Sequence, residues 1–175
     1  RHDLPFAKLT AYVDSLGSIG YLDGGPDIAI KGLLEGFDQR YQDRAQEFLS
    51  KYENAKKNWQ NDLALQESKF VQWFVLDDSF ESMGVKTVGL LCEELAHMST
   101  ANPDKYICGF QRIPSLVPGI GEFSFGEYKI SMRLPAPLRK KLEMQEFPAL
   151  TSFLPQATQQ VGGFSDAAHP HAAAV

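Results

Sequence analysis

The clearest pattern along the chain is an apolar stripe at Leu34, Phe37, Tyr41, Ala45, Phe48, Tyr52, Ala55, Trp59 and Leu63, spaced by threes and fours. Gln, Asp, Glu, Lys and Arg fill the other faces. The spacing predicts one long helix over about 27–65, roughly nine to ten turns. Such a helix suits a coiled-coil arm, or equally a stiff connector packed against two lobes. Pro26 fits a first helical position. Upstream, Leu4, Leu9, Tyr12, Val13 and Leu16 predict a helix over 4–16. Gly17, Gly20, Gly24 and Gly25 then predict a loop.

Beyond residue 66 the period changes. Phe70-Val71-Gln72-Trp73-Phe74-Val75-Leu76 reads as a strand ended by Asp77-Asp78. Val85, Val88, Leu91, Leu95 and Met98 predict a helix over 84–98, with His97 near its end as a cap. A second strand follows at 105–113, then Pro and Gly punctuate 114–121. One or two strands occupy 122–134, turning at Gly126. Pro135 and Pro137 open a short basic helix, another helix covers about 147–158, and Gly162-Gly163 follows. Strand, helix, strand, strand, helix predicts an α/β lobe, a small mixed-sheet lobe following the long connecting helix. The domain boundary is expected near 66.

Composition narrows the class. The chain has 175 residues, is 43% apolar and 22% charged, and carries a net charge of −5. These are the proportions of a globular protein, long enough for one core or two small lobes. No apolar run approaches the 18 or so residues of a membrane span, so no membrane association is expected. No signal-peptide pattern opens the chain. Arg1 in place of Met leads us to expect a fragment or a processed product. The negative charge argues against nonspecific coating of nucleic acid but leaves room for a local basic site. Cys92 and Cys108 have no metal-ligand spacing. They read as buried free thiols in a reducing, cytoplasmic setting.

The candidate chemistry is spread along the second half. Lys129, Ser131 and Arg133 alternate, so they share one strand face, either a solvated face or a phosphate grip in which the guanidinium forks onto two oxygens. Gly84-Val85-Lys86-Thr87-Val88-Gly89 opens a helix, either for close packing or to offer backbone N–H groups to an anion. Arg139-Lys140-Lys141 reads as a solvated helix face, and becomes a basic patch only if near Arg133. Phe123, Phe125 and Tyr128 read as core or edge aromatics rather than base-stacking platforms. His2 with Asp3, and Asp77 with Asp78, have no partner at ligand spacing and read as solvated. Gly162 and Gly163, followed by His169-Pro170-His171-Ala172-Ala173-Ala174, read as a turn leading to a small-residue strand or a flexible tail. The alternative is a glycine loop beside a histidine donor for an anion.

The order of these pieces is informative. A Leu16-Gly17-Ser18-Ile19-Gly20 loop precedes the long helix. Strand 70–76, Gly84-Val85-x-x-Val88-Gly89, a strand, Ser131-x-Arg133 and Gly162-Gly163…His169-Pro170-x-Ala172-Ala173 follow. Together they resemble the C-terminal half of a DHH-family phosphoesterase of the RecJ type. On that resemblance, 1–26 is the end of a DHH-type domain, 27–65 the connector and 66–175 the DHH-associated, substrate-binding domain.

The resemblance implies hydrolysis of phosphodiesters in single-stranded nucleic acid or small nucleotides, with two Mn²⁺ or Mg²⁺ ions in the full-length protein. It implies substrate-binding roles for Ser131, Arg133, Gly162, Gly163 and His169. Three departures accompany it. Tyr21 stands where the family carries a metal-binding aspartate, leaving Asp23, two residues on, as the metal candidate. Five residues separate Gly163 from His169, which the family places together. Ala174 stands in place of the motif's final glycine. The motifs that supply most metal ligands are absent from these residues, so no metal is expected in this chain alone. One class is therefore the substrate-gripping part of a phosphodiesterase or exonuclease. Another is a catalytically degenerate binding or scaffold protein that works with replication or repair proteins. A third is an α/β interaction domain with a coiled-coil arm.

Overall fold

A computed structural model describes residues 4–61, 63–165 and 167–175, so His2 and Asp3 lie outside it. Helices α1 (Phe6–Asp14), α2 (Gly25–Glu35) and α3 (Gln39–Asn61) come first. Strands β1 (Gln66–Glu67) and β2 (Val71–Val75), helix α4 (Thr87–Leu95) and strand β3 (Tyr106–Arg112) follow. Then come β4 (Leu116–Val117), β5 (Gly121–Glu122), β6 (Tyr128–Arg133), α5 (Ala136–Glu143), α6 (Leu150–Gln160), β7 (Ala167–Ala168) and β8 (Ala172–Ala174). The fold is α/β, with one long helix and a mixed sheet. Contacts divide the chain into two units: one draws on 1–62, 77–87 and 113–126, the other on 63–76, 88–112 and 127–175. No helix among the described residues is long and apolar enough to cross a membrane.

The first unit is built on the apolar stripe, with a correction. The single helix expected over 27–65 is two helices. Gly36 has φ +91°, which a residue with a Cβ rarely adopts, and α2 ends there. Asp38 then accepts the backbone N–H of Arg40 at 2.9 Å and so caps the start of α3. Between them Phe37 tucks inward, its ring 6.1 Å from that of Tyr12 and 5.7 Å from that of Tyr41. From Ala45 to Trp59 the stripe is as expected, and Ala45, Phe48, Tyr52, Ala55 and Trp59 are all buried, but α3 ends at Asn61, so Leu63 falls outside the helix and is only half-buried. Leu34 drops out of it and is exposed. Where a loop was expected from Gly17, residues 15–19 continue α1 as a wider π-helical turn that buries Leu16 and Ile19. Trp59 meets Phe80 edge-on at 6.3 Å. The stretch read as a Pro/Gly loop contains the β4–β5 hairpin, with Leu116 opposite Glu122. Phe123 and Phe125, expected as core or edge residues, are exposed in the same excursion with rings 5.8 Å apart.

The second unit is a layered lobe. Its sheet runs β1-β2-β3-β6-β8-β7. The pair β2–β3 is parallel and the other pairs are antiparallel. Alternation gives each strand two faces. One face carries Tyr106, Cys108, Met132 and Ala173, and packs with Leu138 of α5 and Leu150 and Leu154 of α6. The opposite face carries Phe74, Gly109 and Ser131 and lies against α4. A Cβ at Gly109 would meet Phe74 at 2.5 Å, Val88 at 2.6 Å and Cys92 at 2.8 Å, so helix and sheet approach closely only because that position is bare. Two buried glutamines there are matched. Gln72 bonds Asn102 in both directions, and Gln111 accepts the N–H of Val88 at 3.1 Å. Both cysteines are free and buried. Burial pushes the Cys108 thiol up to about 12 and the Cys92 thiol higher still, so both stay protonated.

Candidate functional site

Strand β6 places Ser131 and Arg133 two residues apart, hence on one face, as the alternation predicts. Ser131 is buried, and Arg133 Nη1 lies 3.5 Å from its Oγ. Lys129 belongs to the same face one step further along. The cross-sheet register adds a third group. Arg133 pairs with Ala172 of β8, and the N–H of His169 donates to the Ala172 carbonyl at 2.8 Å. Arg133, Ala172 and His169 therefore form one row across the sheet, with His169 exposed at its outer end. The hairpin that carries His169 is tied down. The N–H of Leu150, at the start of α6, donates to Pro170 at 3.0 Å, and the N–H of Leu134 donates to His171 at 3.2 Å.

The glycine pair has a structural use. Gly162, at φ +78°, donates its N–H to Gln159, and Gly163 donates its own to Thr158 at 3.0 Å. Both satisfy carbonyls at the end of α6, as a glycine helix terminus does. The tail runs as a turn followed by the short strands β7 and β8. The Gly84 segment likewise serves packing. α4 begins at Thr87, the Gly84 N–H donates to Ser18 at 2.9 Å, and the Val88 N–H is taken by Gln111.

Charge converges on Glu93, one turn beyond Gly89 on α4. Its carboxylate accepts Arg133 Nε at 3.0 Å and Arg139 Nη2 at 3.1 Å, and His97 Nε2 stands 3.4 Å away. Partial burial opposes ionisation there. Arg139, with His97 and Arg133, outweighs it and holds the carboxyl below the usual range. Arg139 thus meets the condition set for the basic helix, proximity to Arg133. Lys141 turns instead to Asp104 at 2.6 Å. Glu93 was missed as a site residue, and Arg139 was named only as a conditional patch. The one available signal was that Glu93 follows Gly89 by four positions, on the same helical face.

Asp23 lies in the first unit, exposed, with Lys51 Nζ 3.5 Å from its carboxylate. Tyr21 is also exposed. Among the described residues no group of three His, Cys, Asp or Glu side chains could hold a metal ion. A lone carboxylate facing an ammonium does not fit a divalent pair, which takes converging oxygen ligands.

No protein-family model matches the chain, and no curated protein is significantly similar to it. The fold and the geometry define a class: a mixed-sheet α/β lobe with Ser131 and Arg133 on one face of an interior strand.

Proposed function

We propose that the chain is the substrate-gripping part of a RecJ-like DHH phosphoesterase, binding single-stranded nucleic acid or small nucleotides through phosphate. One observation carries the reading: Ser131 and Arg133 share a face of β6, and the register sets His169 in the row of Arg133. A hydroxyl, a guanidinium and an imidazole are the donors that a phosphodiester recruits. In this reading the protein works in the cytoplasm, where Cys92 and Cys108 stay reduced, and the hydrolytic metals, Mn²⁺ or Mg²⁺, are supplied by groups other than those described. The test is a titration of a labelled single strand against the wild type and Arg133→Ala. Loss of a charge-assisted contact should weaken binding by on the order of 1–3 kcal/mol. Equal affinities would remove Arg133 from the site and the reading with it.

A second reading is favoured by the Asp23–Lys51 pair and by Tyr21: a RecJ-like scaffold that binds replication or repair proteins without hydrolysis. Incubation of the protein with Mn²⁺ and a labelled strand separates the two. Cleavage abolished by chelation would set the scaffold aside. An intact strand, with replication proteins recovered in a pull-down, would favour it.

A further inference from the structure

Glu93 and its two arginines come from three elements: α4, β6 and α5. The guanidiniums are fixed from behind, independently of Glu93. Arg133 Nη1 donates to the Met132 carbonyl at 2.8 Å, and Arg139 Nε donates to the Leu134 carbonyl at 2.9 Å. Glu93 is the most solvent-exposed of the three, at 45% against 19% for Arg133 and 33% for Arg139. Its carboxylate is held by these arginines and by His97. The donors are therefore anchored and the acceptor is the movable member. Two guanidiniums, each giving one N–H to one of two oxygens, present to Glu93 what they would present to a phosphate, which brings the same acceptors with more charge. Helix α4 passes close by. A Cβ at Gly89 would stand 3.1 Å from Ser131 Oγ and 3.4 Å from Arg133 Nη2, so the bare glycine is what lets α4 pack this near the arginine face and bring Glu93 within reach.

We propose that Arg133 and Arg139 form a two-guanidinium clamp for a phosphate group, and that Glu93 occupies the clamp until the ligand displaces it. The carboxylate is a built-in competitor that sets how tightly phosphate is held, and Arg139 is a binding residue in its own right. The proposal rests on the phosphate-gripping reading of the same lobe. A purely structural ion pair predicts the opposite behaviour, because removing the Glu93 charge would then loosen the lobe without improving anion binding.

The experiment titrates a fluorescein-labelled, 5′-phosphorylated oligothymidylate by anisotropy, with inorganic pyrophosphate as competitor. It uses the wild type, Glu93→Gln, Arg139→Ala, the double variant and Arg133→Ala. Glu93→Gln should tighten binding on the order of tenfold, since the anion no longer competes with a charge-assisted pair. Arg139→Ala should weaken it by a similar factor. The gain from Glu93→Gln should shrink in the Arg139→Ala background, as coupled neighbours require. Glu93→Asp keeps the charge but shortens the reach, so it should also bind more tightly than the wild type. That variant decides the matter if Glu93→Gln fails to fold by circular dichroism. Unchanged or weaker binding by folded Glu93→Gln, or wild-type affinity in Arg139→Ala, overturns the clamp. If Arg133→Ala weakens binding while those two are silent, the clamp falls and the gripping reading stands. If Arg133→Ala is silent as well, both fall.

Discussion

Replacing Gly109 by alanine puts a methyl group at the tightest contact between the sheet and α4. That methyl would stand 2.5 Å from Phe74 Cζ, 2.6 Å from Val88 Cγ2 and 2.8 Å from Cys92 Sγ. All three neighbours are buried, at 3%, 1% and 0% exposure, so none is a free end that can swing into solvent. Overpacking of a filled core costs about 1–3 kcal/mol. Contacts this short on two elements at once argue for the upper part of that range. Against it stand about 0.8 kcal/mol for burying one more carbon and about 0.4–1 kcal/mol for a less flexible unfolded chain. The costs win, and the net destabilisation should be about 1–2 kcal/mol. In a chain of this size that lowers the melting temperature by about 2–8 °C.

The assay is thermal and urea denaturation followed by circular dichroism, with Gly17→Ala as control. A Cβ at Gly17 meets nothing within 4 Å, so that variant should match or exceed the wild type. If Gly109→Ala were as stable as Gly17→Ala, the close helix–sheet approach argued here would be refuted.

Further outcomes follow from single groups. Thr87 is fully buried with its hydroxyl unpartnered among the described residues, so Thr87→Val should raise stability by about 1 kcal/mol in urea denaturation. A loss instead would mean that the hydroxyl has a partner. Gly36→Ala should cost about 1–3 kcal/mol, because φ +91° must be kept for α2 to end there; a gain in both helicity and stability would show that a continuous helix is accessible. The Glu93 carboxyl is depressed in the folded protein, so the unfolded chain binds more protons around and below the ordinary value of 4.5. Its contribution to stability is complete above that value and is lost as pH falls through the lower folded one. Melting temperatures from about pH 5 to pH 3 should accordingly fall less steeply in Glu93→Gln; parallel slopes would contradict the shift.

How far the sequence reveals this structure depends on the range of the interaction involved. The buried face of α3 is legible because Ala45, Phe48, Tyr52, Ala55 and Trp59 repeat with the helix itself. The break before it is less so, because Leu34 continues the same spacing although it is exposed. Gly36 and Asp38 carry the stop and start signals, and they outrank the period. Strands β2, β3 and β6 stand out by apolar and alternating character. β8 does not, since Ala172-Ala173-Ala174 takes its place through pairing with β6 rather than through any propensity of alanine for strands. Within the site, Ser131 and Arg133 are readable from a period of two. Glu93 and Arg139 reach them only through tertiary packing, which no local pattern encodes.

The same distinction bears on what each site residue can contribute. β6 lies inside the sheet, paired with β3 on one side and β8 on the other. Arg133 therefore starts from a backbone laddered on both edges, and its guanidinium is further tied to a carbonyl. Such a group is organised before any ligand arrives and loses little entropy on binding. His169 belongs to the outer hairpin, where β7 pairs only with β8 among the described residues. Its side chain is exposed, and its position depends on the anchors that Pro170 and His171 make to Leu150 and Leu134. The arginine face should therefore supply most of the affinity, and the histidine should adjust which end or shape of ligand is accepted. In the clamp we propose, Glu93 is set against that preorganised face, so its charge should control the strength of the grip more than the exposed imidazole of His169 does.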